Sequence, residues 1–80
     1  MPKTVAIYST PTCHFCKEAK AFFAEKHIEY TEYDVAGDAA RRKEMIDLTG
    51  QLGVPVIVID GKAAVGFDPD EVAERLGIAA

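Results

Sequence analysis

The sequence predicts an α/β protein in which four strands and three helices follow one another in the order βαβαββα. Four segments have the continuous or alternating apolar residues of strands, and the other three have apolar residues at helical spacing. An Asp60-Gly61 pair, which is typical of a two-residue hairpin turn, joins the last two strands. A crossover helix makes the first two strands parallel, so we expect a four-stranded mixed sheet flanked by three helices.

The first half of the chain predicts two strands that alternate with two helices. Residues 3–9 have a nearly continuous apolar centre, which indicates a strand buried on both faces. Apolar residues at helical spacing over residues 13–26 predict the first helix, and an alternating pattern over residues 28–35 predicts a less buried strand. The second helix spans residues 38–50, which begin with a capping aspartate and end with a glycine, and a loop at residues 51–53 follows.

The second half of the chain predicts a β-hairpin followed by a helix. Residues 54–59 are strongly apolar, with a proline confined to the start of the strand as a sheet requires, and residues 62–67 return antiparallel. Asp68 is the cap of the last helix, Pro69 suits its first position, and Glu71 lies where a capping-box carboxylate belongs. A glycine then ends that helix.

Both cysteines of the chain, Cys13 and Cys16, lie at the junction between the first strand and the first helix. A thiol in the first turn of a helix is close to unpaired backbone N–H groups and to the positive end of the helix dipole, and both favour thiolate over thiol. We therefore expect Cys13 to be the nucleophile. Cys16 follows on the same helical face, where it can attack a mixed disulfide on Cys13 and release the partner as a thiol. The pair is interpreted as a reversible dithiol/disulfide switch.

Other interpretations of the two cysteines are small buried apolar residues, an inert structural disulfide, or half of a zinc site. A structural zinc ion needs four ligands, and only His14 and His27 remain as further candidates. His14 lies between the cysteines and points elsewhere on the turn. We therefore predict no metal site within one chain, whereas a metal shared between two chains stays open.

Composition limits the function classes that the chain fits. Eighty residues, about half of them apolar, predict a single domain that covers residues 1–80 and a monomer. The formal net charge of −4 argues against a nucleic-acid partner or an anionic membrane surface. The chain enters its first strand without the apolar stretch of a signal peptide, and no segment approaches membrane-spanning length. We expect a protein of the reducing cytoplasm.

Three stretches of the chain together resemble the glutaredoxin family of the thioredoxin superfamily. They are Tyr8-Ser9-Thr10-Pro11-Thr12-Cys13-His14-Phe15-Cys16, Gly53-Val54-Pro55 and Gly66-Phe67-Asp68. The motifs have the order and spacing of that family, and the resemblance covers nearly the whole chain. It implies the thioredoxin/glutaredoxin fold and a thiol–disulfide oxidoreductase, with Cys13 as attacking thiolate and Cys16 as resolving thiol.

The resemblance also implies a substrate-binding surface. The Val54–Pro55 bond is expected to be cis and to lie beside the cysteines, which leaves the main chain of Val54 free to pair with an extended thiol substrate. Gly66 permits a close backbone approach, and the N–H groups of Phe67 and Asp68 can receive the carboxylate at the glutamyl end of glutathione. The Asp68 side chain then holds the amine of that ligand, although a plain helix cap is the alternative interpretation.

Thr12 and Phe15 complete the predicted substrate-binding set, and Phe15 is expected to be exposed and to contact the partner. Two positions depart from the common glutaredoxin pattern. His14-Phe15 replaces the usual Pro-Tyr between the cysteines, and Thr10 stands where a lysine commonly binds the glycine carboxylate of glutathione. We therefore expect glutathione to be a weak co-substrate and no cofactor to be tightly bound.

The family resemblance leaves two electron donors and two functions open. The turn before the last helix is similar to that of small redoxins that serve ribonucleotide reductase and are recharged by thioredoxin reductase. We therefore predict disulfide-containing proteins as substrates, and glutathione or thioredoxin reductase as the donor. The alternative function is a dimer that holds an iron–sulfur cluster through Cys13 and external thiols.

Overall fold

A computed structural model describes residues 4–51 and 53–78. The predicted order βαβαββα is confirmed. The elements are β1 (Val5–Ser9), α1 (His14–Glu25), β2 (Thr31–Asp34), α2 (Ala39–Thr49), β3 (Val56–Ile59), β4 (Lys62–Val65) and α3 (Pro69–Leu76). They form one four-stranded sheet in the order β2-β1-β3-β4, in which β1 is parallel to β2 and the other two pairings are antiparallel.

Two boundaries in the first half differ from the prediction. Helix α1 begins at His14, and Cys13, which has the extended dihedrals φ −81 and ψ 118, is its cap rather than its first residue. Strand β2 begins at Thr31 rather than at residue 28, because the Ile28 N–H donates to the Phe23 carbonyl at 2.8 Å and closes the end of α1. The first residue of the predicted β1, Lys3, lies outside the described residues, as does Leu52 of the predicted loop.

The hairpin strands are shorter than predicted at the end nearest the cysteines. Strand β3 begins at Val56, because Pro55 has no N–H to donate to a ladder. Strand β4 ends at Val65, because Gly66 turns the chain at φ 91, which is favourable only for glycine. Both changes move residues of the predicted strands into the loops beside the cysteines.

The predicted caps of the second and third helices are confirmed. Asp38 accepts from the Arg41 N–H at 3.1 Å and begins α2, and Asp68 accepts from the Asp70 and Glu71 N–H groups at 3.0 and 3.4 Å and begins α3. Glu71 does not complete a capping box within the described residues. Its carboxylate pairs instead with the Arg75 guanidinium at 3.2 Å, one helical turn along α3.

The sheet is covered on both faces because adjacent residues of a strand point to opposite sides. Helices α1 and α3 pack on one face and α2 packs on the other. The buried residues of the first core are Val5, Ile7, Ala19, Phe23, Ile57, Ile59 and Val72, and those of the second are Tyr8, Val35, Met45 and Val56. This arrangement explains why β1 and β3 are apolar at nearly every position.

The strand register places three loops at one edge of the sheet. Tyr8, near the end of β1, is opposite Val56 at the start of β3, and Val56 is opposite Val65 at the end of β4. The loops that leave β1, enter β3 and leave β4 therefore meet at the same edge.

No helix of the described residues is long and apolar enough to cross a membrane.

Candidate active site

Cys13 lies at the N-terminus of α1, where the loop from β1 meets the helix. Its Sγ accepts the main-chain N–H of Cys16 at 3.3 Å, and its own N–H donates to the Thr10 carbonyl at 3.3 Å. The side chain is half-buried, so its sulfur remains accessible. The Cys13 sulfur therefore accepts one of the N–H groups that have no partner within the helix.

Cys16 has a contrasting environment one turn further along α1. It is 0% exposed and packed inside the helix–sheet layer. Burial, followed by the hydrogen bond with Cys13, raises the pKa of the Cys16 thiol to about 11, although the Thr10 backbone and the Lys20 charge act in the opposite direction. The two thiols are both free, yet they differ in exposure and in their hydrogen-bonding role.

The second motif lies at the entrance to β3. The Val54–Pro55 peptide bond is cis, as the family resemblance implied. The Pro55 carbonyl accepts the Gly66 N–H at 2.7 Å, which joins this loop to the turn after β4. Within residues 4–51 and 53–78, neither main-chain polar group of Val54 has a hydrogen-bond partner.

The third motif turns the chain from β4 into α3. Phe67 is half-buried against the first core, with its ring 5.7 Å from that of Phe22 in an edge-on contact. The N–H groups of Phe67 and Asp68 have no protein acceptor in the part of the chain that the structure describes. The Asp68 carboxylate is exposed and caps α3, so its predicted capping role is present in the structure.

Three exposed side chains lie in or next to the loops that carry the three motifs. Phe15 is 56% exposed beside Cys13, which agrees with its predicted exposure, and Thr12 lies exposed in the preceding turn. Val65, which the sequence did not single out, is 44% exposed and lies so close to Gly53 that a Cβ there would be 3.4 Å from its Cγ1. The signal that could have identified Val65 is its position directly before the third motif.

The histidine between the cysteines is directed along the helix surface. The Nε2 of His14 lies 3.3 Å from Oε1 of Glu18, one turn further along α1. Among the described residues, no group of three or more histidine, cysteine, aspartate or glutamate side chains is placed to hold a metal ion.

Comparison with known proteins identifies the family. A family model described as Glutaredoxin matches residues 5–64. The chain belongs to the glutaredoxin family. A glutaredoxin-like 8.6 kDa protein of the rubredoxin operon of Clostridium pasteurianum is 47% identical over 68 residues, which are 85% of this chain and 91% of that protein. Glutaredoxin 3 of Escherichia coli K12 is 41% identical over 64 residues, which are 80% of this chain and 77% of that protein.

A solved structure extends the likeness to three dimensions. The crystal structure of the thioredoxin-like protein BC3987 superposes on this glutaredoxin with a TM-score of 0.85 at 30% identity, covering 91% of this chain and 100% of that chain. The predicted thioredoxin-like fold is therefore confirmed. Membership of the glutaredoxin family makes the protein a thiol–disulfide oxidoreductase.

Sequence reasoning also missed a polar cluster beside Cys16. The Lys20 ammonium contacts the Glu32 carboxylate at 2.8 Å, and the buried Ser9 hydroxyl donates to the same carboxylate at 3.0 Å. The available signal was the spacing of Lys20, four residues after Cys16 in a predicted helix. Its partner, Glu32 on β2, could not be predicted without knowing the register of the sheet.

The contrast between the two thiols predicts selective alkylation. At neutral pH, iodoacetamide should modify Cys13 at least tenfold faster than Cys16, because Cys16 is buried and almost entirely protonated below its pKa of about 11. Peptide mapping of the reduced protein after brief alkylation measures both rates. Modification of Cys16 should accelerate as the pH approaches 11, and faster labelling of Cys16 than of Cys13 at neutral pH would contradict the assignment.

Proposed function

We propose that this glutaredoxin reduces protein disulfides and glutathione mixed disulfides with Cys13 as the attacking thiolate and Cys16 as the resolving thiol. The observation that supports it most is the hydrogen bond from the Cys16 N–H to the Cys13 sulfur at the N-terminus of α1. In that bond the Cys13 sulfur accepts an N–H group that has no partner within the helix, while burial raises the pKa of the Cys16 thiol to about 11.

The proposed reaction has two exchange steps. The Cys13 thiolate attacks one sulfur of a disulfide, forms a mixed disulfide with that half, and releases the other half as a thiolate that takes a proton from solvent. Cys16 then loses its proton and attacks the Cys13 sulfur, which closes the Cys13–Cys16 disulfide and releases the second thiol. Two electrons pass from the dithiol to the substrate, and an external donor reduces the enzyme again.

We propose that the unpaired main-chain groups around Cys13 bind the substrate. The N–H and C=O of Val54, which have no partner among the described residues, would pair with an extended backbone in the manner of an added strand. The N–H groups of Phe67 and Asp68, which likewise have no acceptor within residues 4–51 and 53–78, suit a carboxylate at the start of α3. Thr12 and Phe15 lie within two residues of Cys13 along the chain, and the exposed Phe15 ring offers apolar contact.

The choice of electron donor depends on charge at the loop before Cys13. Thr10 is half-buried there and carries no charge, so a glutathione carboxylate near it gains no charge-assisted hydrogen bond. We propose glutathione as a weak co-substrate and thioredoxin reductase as the stronger donor. The cytoplasm, where thiols are kept reduced, is the proposed compartment.

The iron–sulfur alternative receives less support from the described residues. Such clusters take four thiolate ligands, and each chain offers one accessible sulfur, Cys13, beside a fully buried Cys16. Further ligands would have to come from glutathione or a second chain. We therefore propose a monomeric protein of one domain with no tightly bound cofactor.

A coupled assay tests the proposed function and its donor together. Oxidation of NADPH is followed with a small disulfide substrate, once with glutathione and glutathione reductase and once with thioredoxin reductase. We expect turnover by the reduced protein, faster with thioredoxin reductase, and none with Cys13→Ser because the attacking sulfur is absent. Absence of turnover with both donors, or full activity of Cys13→Ser, contradicts the proposal.

A second prediction concerns the missing charge at Thr10. Thr10→Lys should lower the KM for glutathione by about tenfold or more, since a charge-assisted hydrogen bond is worth roughly 1.5–3 kcal/mol. Thr10→Met is the matched control, because it adds a long side chain without the charge. Steady-state kinetics at several glutathione concentrations measure both variants. An equal change in KM for the two, or none for Thr10→Lys, shows that the groove binds glutathione by other contacts.

A further inference from the structure

A polar cluster of Ser9, Lys20 and Glu32 joins β1, α1 and β2. The Lys20 Nζ lies 2.8 Å from Glu32 Oε2, and the Ser9 hydroxyl donates to the same oxygen at 3.0 Å. Ser9 is 1% exposed, and the Lys20 side chain is 28% exposed. The hydrogen bond between Lys20 and Glu32 raises the pKa of Lys20 and lowers that of Glu32, so both groups remain charged around neutral pH.

The cluster lies beside the buried thiol of Cys16. Lys20 follows Cys16 by four residues within α1, which places the two side chains on one helical face with their Cβ atoms about 5–6 Å apart. Ser9 ends β1 and precedes the loop that carries Cys13. The Lys20 charge lowers the pKa of Cys16, but burial and the Cys13 hydrogen bond outweigh it.

The titratable groups that bear on this thiol come from two sides. Helix α1 contributes Cys13 and Lys20, which act on Cys16 itself, whereas Glu32 of β2 and Tyr30 just before β2 act on Lys20. A thiolate on Cys13 opposes negative charge on Cys16. Once Cys13 is in a mixed disulfide its sulfur is neutral, and Lys20 is then the cation that acts on Cys16 among the groups named here.

We propose that Lys20 is a positioning residue for the second exchange step, in which its ammonium stabilises the Cys16 thiolate as that sulfur attacks the mixed disulfide. Glu32 and Ser9 hold the ammonium on this side of α1. The inference rests on the proposed roles of Cys13 and Cys16. In this step Cys16 gives its proton to solvent, its sulfur bonds to the Cys13 sulfur, and the bond from Cys13 to the partner breaks with release of the partner thiolate.

Loss of the Lys20 charge should have two opposing effects on the second exchange step: a smaller thiolate fraction at Cys16 and a more nucleophilic thiolate. Removing a unit charge one helical turn from Cys16, partly shielded by Glu32, is expected to raise the titration midpoint of Cys16 by roughly half to one pH unit. The thiolate fraction at neutral pH then falls about three- to tenfold. A more basic thiolate is a better nucleophile, with a Brønsted slope of about 0.4–0.5, so the net rate of the second step falls about two- to fourfold.

A stopped-flow experiment separates the two steps in one trace. The reduced protein is mixed with one equivalent of dithionitrobenzoate, which releases one thionitrobenzoate when Cys13 attacks and a second when Cys16 resolves the adduct. We expect Lys20→Met to slow the second release about two- to fourfold and to leave the first unchanged. Lys20→Arg should keep the wild-type rate. Lys26→Met, at the other end of α1, is the matched control for loss of a charge and should leave both releases unchanged.

A second readout measures the ionisation of Cys16 itself. In the Cys13→Ser background, the Cβ chemical shift of Cys16 labelled with carbon-13 reports its thiolate fraction. Lys20→Met should move that titration to higher pH, which loss of a purely structural contact would not do. Lys20→Gln replaces Lys20→Met if the latter does not fold.

Three results would distinguish the possible failures. An unchanged second release in Lys20→Met overturns the inference, and so does equal slowing of both releases, which indicates general loosening of α1. A wild-type protein that releases no second thionitrobenzoate contradicts the proposed role of Cys16 instead. The inference about Lys20 can therefore fail while the proposed function stands.

Discussion

The hydrogen bond from the Cys16 main-chain N–H to the Cys13 sulfur is the contact on which the site depends. It exists because Cys13 is the cap of α1 and not a residue inside it, so that its side chain folds over the first turn. The same turn carries Cys16 inward, where burial and its contact with Cys13 raise its pKa to about 11. One local geometry therefore gives two identical side chains different environments: Cys13 is half-buried and accepts a helix N-terminal N–H, whereas Cys16 is fully buried and has a raised pKa.

The pairing of the strands brings the other two motifs to the end of the sheet where Cys13 lies. Because β1 and β3 are antiparallel, the end of β1 lies beside the start of β3, and the same relation places the end of β4 there. The bond between the Gly66 N–H and the Pro55 carbonyl then fixes two of the loops to each other. Among the residues that the structure describes, the main-chain groups of Val54 and the N–H groups of Phe67 and Asp68 have no hydrogen-bond partner, and these are the groups proposed to bind an extended thiol substrate.

Local sequence chemistry predicted the element order, the turn at Asp60 and the caps at Asp38 and Asp68, because each of these depends on residues close together in the chain. The start of β2 was predicted too early because Ile28 closes α1, an interaction that an alternating pattern does not reveal. The cis bond before Pro55 came from the family resemblance, since sequence alone favours the trans isomer and only about one X–Pro bond in twenty is cis.

The contact between Lys20 and Glu32 could not be predicted from the sequence either, because it depends on which residue of β2 faces α1. The parallel register of β1 and β2 decides this, and register is a property of the whole sheet.

The central claim, that the two thiols have different roles, is tested most directly by trapping. After addition of oxidised glutathione, Cys16→Ser should accumulate one glutathione adduct that peptide mapping places on Cys13. An adduct on Cys16 of Cys13→Ser that forms as fast would contradict the account.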